Sequence, residues 1–297
     1  MEWVKFCLFK EKTKMDENNC THDCSTCGAD CSSRESSAPS KLPLSDGSRV
    51  SRVIGVVSGK GGVGKSLVTS LLSVAMKRRE YGVAILDADV TGPSVPKAFG
   101  IKGGVESAGD LILPRRTATG IDVISVNLLL QNETDPVVWR GPVISGLIHQ
   151  FWSEVFWADV DYMFVDMPPG TGDVPLTVFQ SLPVDGIIVV STPQDLVSMI
   201  VEKAVKMANL MDVPVLGMIE NMSYVKCPDC GREIPIFGES HADEISERLG
   251  VPLLARLPVH TAFASLCDRG SIELYENDEV EKVADRIEEF LPVPSNQ

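Results

Sequence analysis

The chain carries the octapeptide Gly59-Lys60-Gly61-Gly62-Val63-Gly64-Lys65-Ser66 between an apolar run, residues 53–57, and a helical pattern over 66–79. Glycines let the backbone approach concentrated negative charge, and the start of the following helix adds partial positive charge. Lys65 is then placed to reach the β- and γ-phosphates of a nucleotide, and the Ser66 hydroxyl to ligate Mg²⁺. The loop predicts a site for ATP or a close relative with Mg²⁺, built from Gly59, Gly61, Gly62, Val63, Gly64, Lys65, Ser66 and Leu67.

Further short apolar runs follow the loop and alternate with helical patterns. They cover residues 83–86, 121–125, 162–165, 186–190 and 215–219. Continuous apolar strands separated by helices are typical of a parallel sheet that is covered on both faces. The sequence therefore predicts an α/β fold of the P-loop NTPase kind, with a mostly parallel twisted sheet and helices on both faces.

The chain divides into a tail and one domain by composition. Residues 1–50 are polar, rich in serine and cysteine, and without a sustained hydrophobic period, so we expect a flexible Cys-rich tail and linker. Residues 51–293 hold the alternating pattern and form the expected ATPase domain with its C-x-x-C metal knuckle. A domain of this length can bury a core of its own.

The charge of the chain bears on its partners and its compartment. The formal net charge is −14, which disfavours nucleic acid and anionic membrane as partners. The sequence has neither an apolar run that could span a bilayer nor a secretory signal pattern, so we expect a cytoplasmic protein. In the cytosol thiols stay reduced, and clustered cysteines are more often metal ligands than disulfides.

Two acidic loops follow predicted strands, where parallel sheets of this kind bind ligands. They span residues 87–94 and 166–173. A carboxylate near the γ-phosphate can orient water or help to hold hydrated Mg²⁺. We assign the orientation of the attacking water to Asp89 and the outer Mg²⁺ shell to Asp166, with helix capping as the alternative for such aspartates.

Six of the eight cysteines form two groups. Cys227 and Cys230 form a C-x-x-C knuckle, which supplies two ligands where Zn²⁺ or an iron–sulfur cluster generally takes four. Two symmetry-related copies in a homodimer would supply the other two. The tail group consists of Cys20, Cys24, Cys27 and Cys31, which could enclose a [4Fe–4S] cluster or Zn²⁺, or could remain free thiols.

The early lysine of the loop, Lys60, resembles the one in the deviant Walker A motif of dimeric NTPases related to MinD, ParA, the arsenite-pump ATPase and nitrogenase iron protein. In that group this lysine reaches the nucleotide of the partner subunit. The resemblance gives Lys60 a catalytic part alongside Lys65 and Asp89, because a second cation can stabilise charge on the transferring phosphoryl group. It also makes Asn221, after a predicted strand, the residue that binds adenine.

A wider set of motifs resembles the Mrp/Nbp-type family of iron–sulfur cluster carrier ATPases. The set comprises the loop, L-D-A-D-V-T-G-P-S, W-R-G-P, D-M-P-P-G-T-G-D, S-T-P-Q, E-N-M-S and C-P-D-C, spread over residues 50–275. The resemblance implies a homodimer that binds a bridging [4Fe–4S] cluster at Cys227 and Cys230 and passes it to apo-proteins, with ATP required. A cluster donor and client apo-proteins are the implied partners. The compact spacing of the tail cysteines favours a bacterial or archaeal type of member.

Other functions fit parts of the pattern. A positioning ATPase of the ParA/MinD kind needs a basic surface, whereas the last predicted helix, over residues 278–290, is acidic. A zinc-stabilised regulatory ATPase remains open, since cysteine spacing does not separate zinc from iron. An electron-transfer ATPase like nitrogenase iron protein uses single cysteines on separate segments, whereas this chain has a C-x-x-C.

Overall fold

The computed structural model describes residues 41–89, 92, 94–130, 141–194 and 197–294. Its centre is an eight-stranded sheet in the order β12-β9-β8-β1-β7-β2-β6-β5. The pairs from β12 to β6 are parallel, and β5 pairs antiparallel with β6. The predicted mostly parallel sheet of a P-loop NTPase is confirmed.

The strands are short and, in the middle of the sheet, continuously apolar. Their bounds are β1 Val50–Ser58, β2 Val83–Asp87, β3 Glu106–Ala108, β4 Leu111–Leu113, β5 Arg115–Arg116, β6 Asp122–Ser125, β7 Val160–Asp166, β8 Gly186–Ser191, β9 Val215–Glu220, β10 Val225–Lys226, β11 Glu233–Ile234 and β12 Leu253–Arg256. Strands β3 and β4 form one small antiparallel hairpin, and β10 and β11 form another.

Helices cover both faces of the central sheet. They are α1 Lys65–Arg78, α2 Val95–Ala98, α3 Gly141–Ser153, α4 Asp173–Ser181, α5 Val197–Leu210, α6 Ala242–Leu249, α7 Thr261–Asp268 and α8 Asp278–Phe290. Buried side chains of α1, α2, α7 and α8 pack on one face, and those of α3, α4, α5 and α6 on the other. Both faces of the central strands are therefore sealed from water, which explains why these strands carry apolar residues without alternation.

Residues just before β1 pack against the domain. The Leu42 amide donates to the Ser181 carbonyl at 2.8 Å, and the Trp152 indole donates to the Leu42 carbonyl at 2.8 Å. The Ser45 hydroxyl donates to the Val155 carbonyl, also at 2.8 Å. Residues 41–49, which the sequence analysis placed with the tail, are thus attached to the α3–α4 side of the sheet. Residues 1–40, with all four tail cysteines, lie outside the described residues.

The arrangement brings the functional loops to one edge. Because β1, β2, β7, β8 and β9 run parallel, the segments after all of them leave the sheet at the same side. The register of β2 and β7 places Asp87 beside Asp166, and that of β1 and β8 places Ser58 beside Val190. Within the described part of the chain, no helix is both long and apolar enough to cross a membrane.

Candidate nucleotide and cysteine sites

The loop between β1 and α1 depends on glycine for its shape. Gly62 and Gly64 have φ angles of +83° and +81°, a region in which L-residues with a side chain are strained. A Cβ on Gly64 would lie 2.2 Å from Nδ2 of Asn221, whereas one on Gly62 would meet nothing within 4 Å. Gly64 is therefore needed both for its backbone angle and for the close approach of β9.

Lys65 and Ser66 converge on one buried carboxylate. The Lys65 Nζ lies 2.6 Å from Oδ1 of Asp166, and the Ser66 hydroxyl donates to Oδ2 at 2.5 Å. The Thr69 hydroxyl, one turn further along α1, donates to Oδ1 at 3.0 Å. Asp166 has no exposed surface, so these partners supply the hydrogen bonds that its burial requires.

The first acidic loop, residues 87–94, contributes two more carboxylates to the same place. Asp89 lies 3.6 Å from the Lys65 Nζ, measured to Oδ2. Asp87 is fully buried and accepts hydrogen bonds from the Ser125 hydroxyl at 2.9 Å and from the backbone amide of Asp89 at 3.1 Å. Burial, followed by the charge of Asp166, raises the pKa of Asp87 well above its ordinary value.

Asp87 is the functional-site residue that the sequence analysis missed. Its loop was recognised as acidic, but only Asp89 and Asp166 received roles. The available signal was that Asp87, like Asp166, follows a predicted strand, and the carboxyl ends of parallel strands share one edge of the sheet. The sequence does not show that β2 and β7 are neighbours, because several other elements, from α2 to α3, lie between them along the chain.

A cleft of about 390 Å³ opens beside the loop. Its lining includes every residue of the loop from Lys60 to Leu67, together with Asp89, Gly92 and Ser94. Amides of a glycine-rich loop, a lysine and a hydroxyl form the donor set that a triphosphate requires, and the Ser66 and aspartate oxygens form the ligand set that Mg²⁺ prefers. The residues present thus fit a nucleotide with Mg²⁺.

Lys60 also lines this cleft, but its ammonium group has a contact at the surface. Its Nζ donates to Oε1 of Gln194 at 2.7 Å, and both side chains are exposed. Gln194 belongs to the segment that follows β8. Lys60 therefore lies at the rim of the site, whereas Lys65, with a side chain 5% exposed, lies at its floor.

Asn221 follows β9 and reaches the nucleotide loop from the side. It is 1% exposed, and its Nδ2 donates to the Val63 carbonyl at 2.9 Å. The structure thus brings Asn221 into contact with the loop, as its predicted part in nucleotide binding requires, and its observed partner is the loop backbone. Adenine contact by Asn221 stays a prediction.

Cys227 and Cys230 lie on an exposed hairpin formed by β10 and β11. The Cys227 amide donates to the Arg232 carbonyl and the Gly231 amide to the Cys227 carbonyl, both at 2.9 Å, and Gly231 has a φ of +72°. The backbone amides of Cys230 and then of Asp229 hydrogen-bond the Cys227 sulfur and lower the pKa of its thiol. The turn therefore favours a thiolate, the form that binds metal.

The hairpin offers two thiols, those of Cys227 and Cys230. Among the described residues, no group of three or more His, Cys, Asp or Glu side chains could hold a metal ion. Cys227 is partly exposed and Cys230 is exposed, so another protein chain can reach both. Parts of the predicted pattern lie outside the described residues. Among them are the first two residues of W-R-G-P, Trp139 and Arg140, and the tail cysteines.

Fold and loop together define the class of the protein. A parallel sheet with a glycine-rich loop after β1, a lysine and serine at the start of α1 and carboxylates after β2 and β7 is a P-loop NTPase. The family model described as "ParA: NUBPL iron-transfer P-loop NTPase" matches residues 49–291. The chain belongs to this family, and the predicted family membership is confirmed.

Relatives carry one function in their names. An iron-sulfur cluster carrier protein of Clostridium perfringens is 44% identical over 262 residues, 85% of this chain and 90% of that protein. One of Methanocaldococcus jannaschii is 40% identical over 248 residues, 82% of this chain and 86% of that protein.

Solved structures agree with the fold. A nucleotide-binding protein of Archaeoglobus fulgidus, solved in complex with ADP, superposes with a TM-score of 0.71 at 41% identity, over 78% of this chain and 91% of that one. The cell division ATPase MinD of Pyrococcus furiosus superposes with a TM-score of 0.57 at 20% identity, over 80% of this chain and 99% of that one, which is a likeness of fold alone.

Proposed function

We propose that this protein is an ATP-dependent iron–sulfur cluster carrier or scaffold that works as a homodimer in the cytoplasm. It holds a [4Fe–4S] cluster between the Cys227–Cys230 pairs of two subunits and passes it to apo-proteins, having received it from a donor. The observation that carries the proposal is the exposed thiol pair, which supplies two of the four ligands that a cluster generally takes and lies six positions along the chain from the buried Asn221. The names of the relatives support the same function.

The residues divide the work of nucleotide hydrolysis as their positions suggest. Lys65 and the amides of residues 59–67 bind the phosphates, Ser66 would ligate Mg²⁺, and Asp166 would support the outer shell of the ion. Mg²⁺ would neutralise charge on the phosphates when bound. Asp89 orients the attacking water. Lys60 stabilises charge on the transferring phosphoryl group of the nucleotide in the partner subunit. Asn221 contributes to base recognition.

The thiol pair suits a cargo that must leave. Both sulfurs lie on a two-strand hairpin whose residues are mostly exposed, so a client protein can approach the cluster. A structural metal site is closed by its own chain, as in zinc knuckles with four ligands. If two subunits share the four ligands, the affinity for the cluster depends on the dimer. Nucleotide that stabilises the dimer then controls the release of the cluster.

The tail cysteines add a second candidate site. We propose that Cys20, Cys24, Cys27 and Cys31 hold a further cluster or Zn²⁺ within one subunit, because four thiolates within twelve positions are enough to complete a site. The predicted division into a tail of residues 1–50 and an ATPase domain of 51–293 is proposed with one change: residues 41–50 are assigned to the domain, because they pack on it or begin β1.

Anaerobic reconstitution with iron and sulfide tests the function. The full chain with its four tail cysteines changed to alanine should bind about two iron atoms per protomer, one shared [4Fe–4S] cluster per dimer, with an absorption band near roughly 400 nm. Adding Cys227→Ala/Cys230→Ala should abolish both, whereas adding Cys267→Ala should not. Transfer to an apo-enzyme should require ATP and fail with Lys65→Ala.

Three results would overturn the proposal or its site. The first is tightly bound zinc at the hairpin with no cluster under any reconstitution condition, which would favour the zinc-stabilised regulatory ATPase. The second is transfer at the wild-type rate by Lys65→Ala, which would remove nucleotide from the mechanism. The third is a cluster retained by the Cys227→Ala/Cys230→Ala variant in the chain without tail cysteines, which would place the cluster site elsewhere.

A further inference from the structure

The contact between Lys60 and Gln194 joins two loops that leave neighbouring strands. Strands β1 and β8 are adjacent and parallel, and Ser58 at the end of β1 is level with Val190 near the end of β8. The loop that carries Lys60 and the segment that carries Gln194 therefore emerge side by side. Their side chains meet at 2.7 Å, with the amide oxygen of Gln194 as acceptor.

Hydrogen bonds to backbone carbonyls hold both ends of this contact. The Ser58 hydroxyl donates to the Lys60 carbonyl at 3.1 Å, and the Gly170 amide donates to the Ser58 carbonyl at 2.7 Å. On the other side, the Gln194 amide donates to the Thr192 carbonyl at 2.9 Å. Both loops are thus held by hydrogen bonds. The Lys60 ammonium group therefore separates from Gln194 by rotation of the Lys60 side chain, without movement of either loop.

We propose that Gln194 is a positioning residue that holds Lys60 on its own subunit until a second copy of the chain binds. This inference rests on the proposed function, in which Lys60 acts on the nucleotide of the partner subunit. A lysine engaged with its own subunit does not reach across, so each protomer must break this hydrogen bond when the dimer forms. The contact thereby disfavours the dimer and keeps the free subunit from presenting Lys60.

The chemistry of the acceptor matches such a temporary hold. An amide oxygen is neutral, and the pair is exposed to water, so the contact is weaker than the buried ion pair of Lys65 with Asp166. A carboxylate at position 194 would hold the ammonium group more strongly, whereas an apolar side chain would not hold it at all. Glutamine thus gives a hold that the phosphates of the partner's nucleotide can overcome.

The size of the effect follows from the strength of one exposed hydrogen bond to a charged donor. Removing it should favour release of each lysine by about two- to fivefold. A dimer releases two lysines, so its dissociation constant should fall by the square of that factor, about 4- to 25-fold. Gln194→Glu should raise the dissociation constant instead, and that rise should shrink at high salt.

The test measures the dimer dissociation constant of the full chain by sedimentation, with Mg²⁺ and a non-hydrolysable ATP analogue. Gln194→Met keeps the length of the side chain and removes the acceptor, and Gln150→Met on the exposed surface of α3 is the matched control. We expect a tighter dimer with Gln194→Met, a looser and salt-sensitive one with Gln194→Glu, and no change with Gln150→Met.

Lys60→Ala separates the inference from the function on which it rests. If Gln194 acts through Lys60, then Gln194→Met changes nothing in the Lys60→Ala background. Lys60→Ala with a weakened dimer but no effect of either Gln194 variant would overturn the inference alone. An effect of Gln194→Met that persists without Lys60 would overturn it too. A wild-type dimer constant for Lys60→Ala would instead remove the trans lysine from the proposed function.

Discussion

Two glycines of the nucleotide loop form a matched pair for measuring how closely β9 approaches it. Both have a φ near +80°, so alanine at either position carries the strain of the left-handed region, about 1 kcal/mol. The new methyl group of Gly62→Ala meets nothing within 4 Å. That of Gly64→Ala lies 2.2 Å from Nδ2 of Asn221. Asn221 must then move and give up its hydrogen bond to the Val63 carbonyl.

The displaced amide sets the size of the difference. Asn221 is almost fully buried, and a buried amide that loses its partner costs about 1 to 3 kcal/mol. We therefore expect Gly64→Ala to lower the free energy of unfolding by about 2 to 4 kcal/mol and Gly62→Ala by about 1 kcal/mol. Urea unfolding without nucleotide measures both values.

A third variant identifies the cause. In an Asn221→Ala background the amide is absent, so Gly64→Ala should cost only its backbone strain, about 1 kcal/mol, as Gly62→Ala does. Equal losses for the two glycine variants in the wild-type background would refute the reasoning. So would an excess loss for Gly64→Ala that survives the removal of the Asn221 amide, because the close approach would then not be its source.

Two further variants test the carboxylates beneath the loop. Lys65→Ala should lower the free energy of unfolding of the nucleotide-free protein by about 3 kcal/mol, because Asp166 then stays fully buried without its cation. Lys60→Ala removes an exposed lysine and should change this free energy by less than about 0.5 kcal/mol. Equal losses for the two variants in urea unfolding would contradict the prediction. The raised pKa of Asp87 means that its stabilising contribution is complete below its unfolded pKa of about 3.9 and is lost as pH rises through the folded value. Stability of wild type relative to Asp87→Asn should therefore fall as pH rises above about 4, and a difference that stays constant with pH would show that Asp87 does not titrate as its burial requires.

Local pattern was enough to predict the loop and six strands of the central sheet, β1, β2, β6, β7, β8 and β9, but not its edge strands β5 and β12. The runs at 83–86 and 215–219 became β2 and β9 to within a residue at each end, because buried parallel strands need apolar side chains on both faces. Helix α1 was predicted from 66 to 79 and extends over Lys65–Arg78. The short hairpin β3–β4, with its first strand exposed and its second half-buried, has no such pattern and was not predicted.

Contacts across the sheet were beyond local pattern. The order of strands places β7 between β1 and β2, and this neighbour relation alone brings Asp87 and Asp166 together. The same holds for Gln194, which was part of a recognised motif without a role until β8 was found beside β1. Asn221 was assigned to the nucleotide site only through a family resemblance. Its hydrogen bond to Val63 joins the turn after β9 to the nucleotide loop, and local sequence does not predict a contact between these two distant segments.

A short segment of chain, hydrogen-bonded on both sides, connects Asn221 to the hairpin that carries Cys227 and Cys230. Beyond β9, the Asn221 amide donates to the Ser191 carbonyl and the Ser223 amide to the Leu257 carbonyl, while the Tyr224 carbonyl accepts from Val259. Each of these bonds fixes the backbone up to the base of the β10–β11 hairpin, and the hairpin beyond is mostly exposed. The thiol pair therefore follows, within one short stretch of chain, a residue that contacts the nucleotide loop, and the backbone between them is hydrogen-bonded to neighbouring segments.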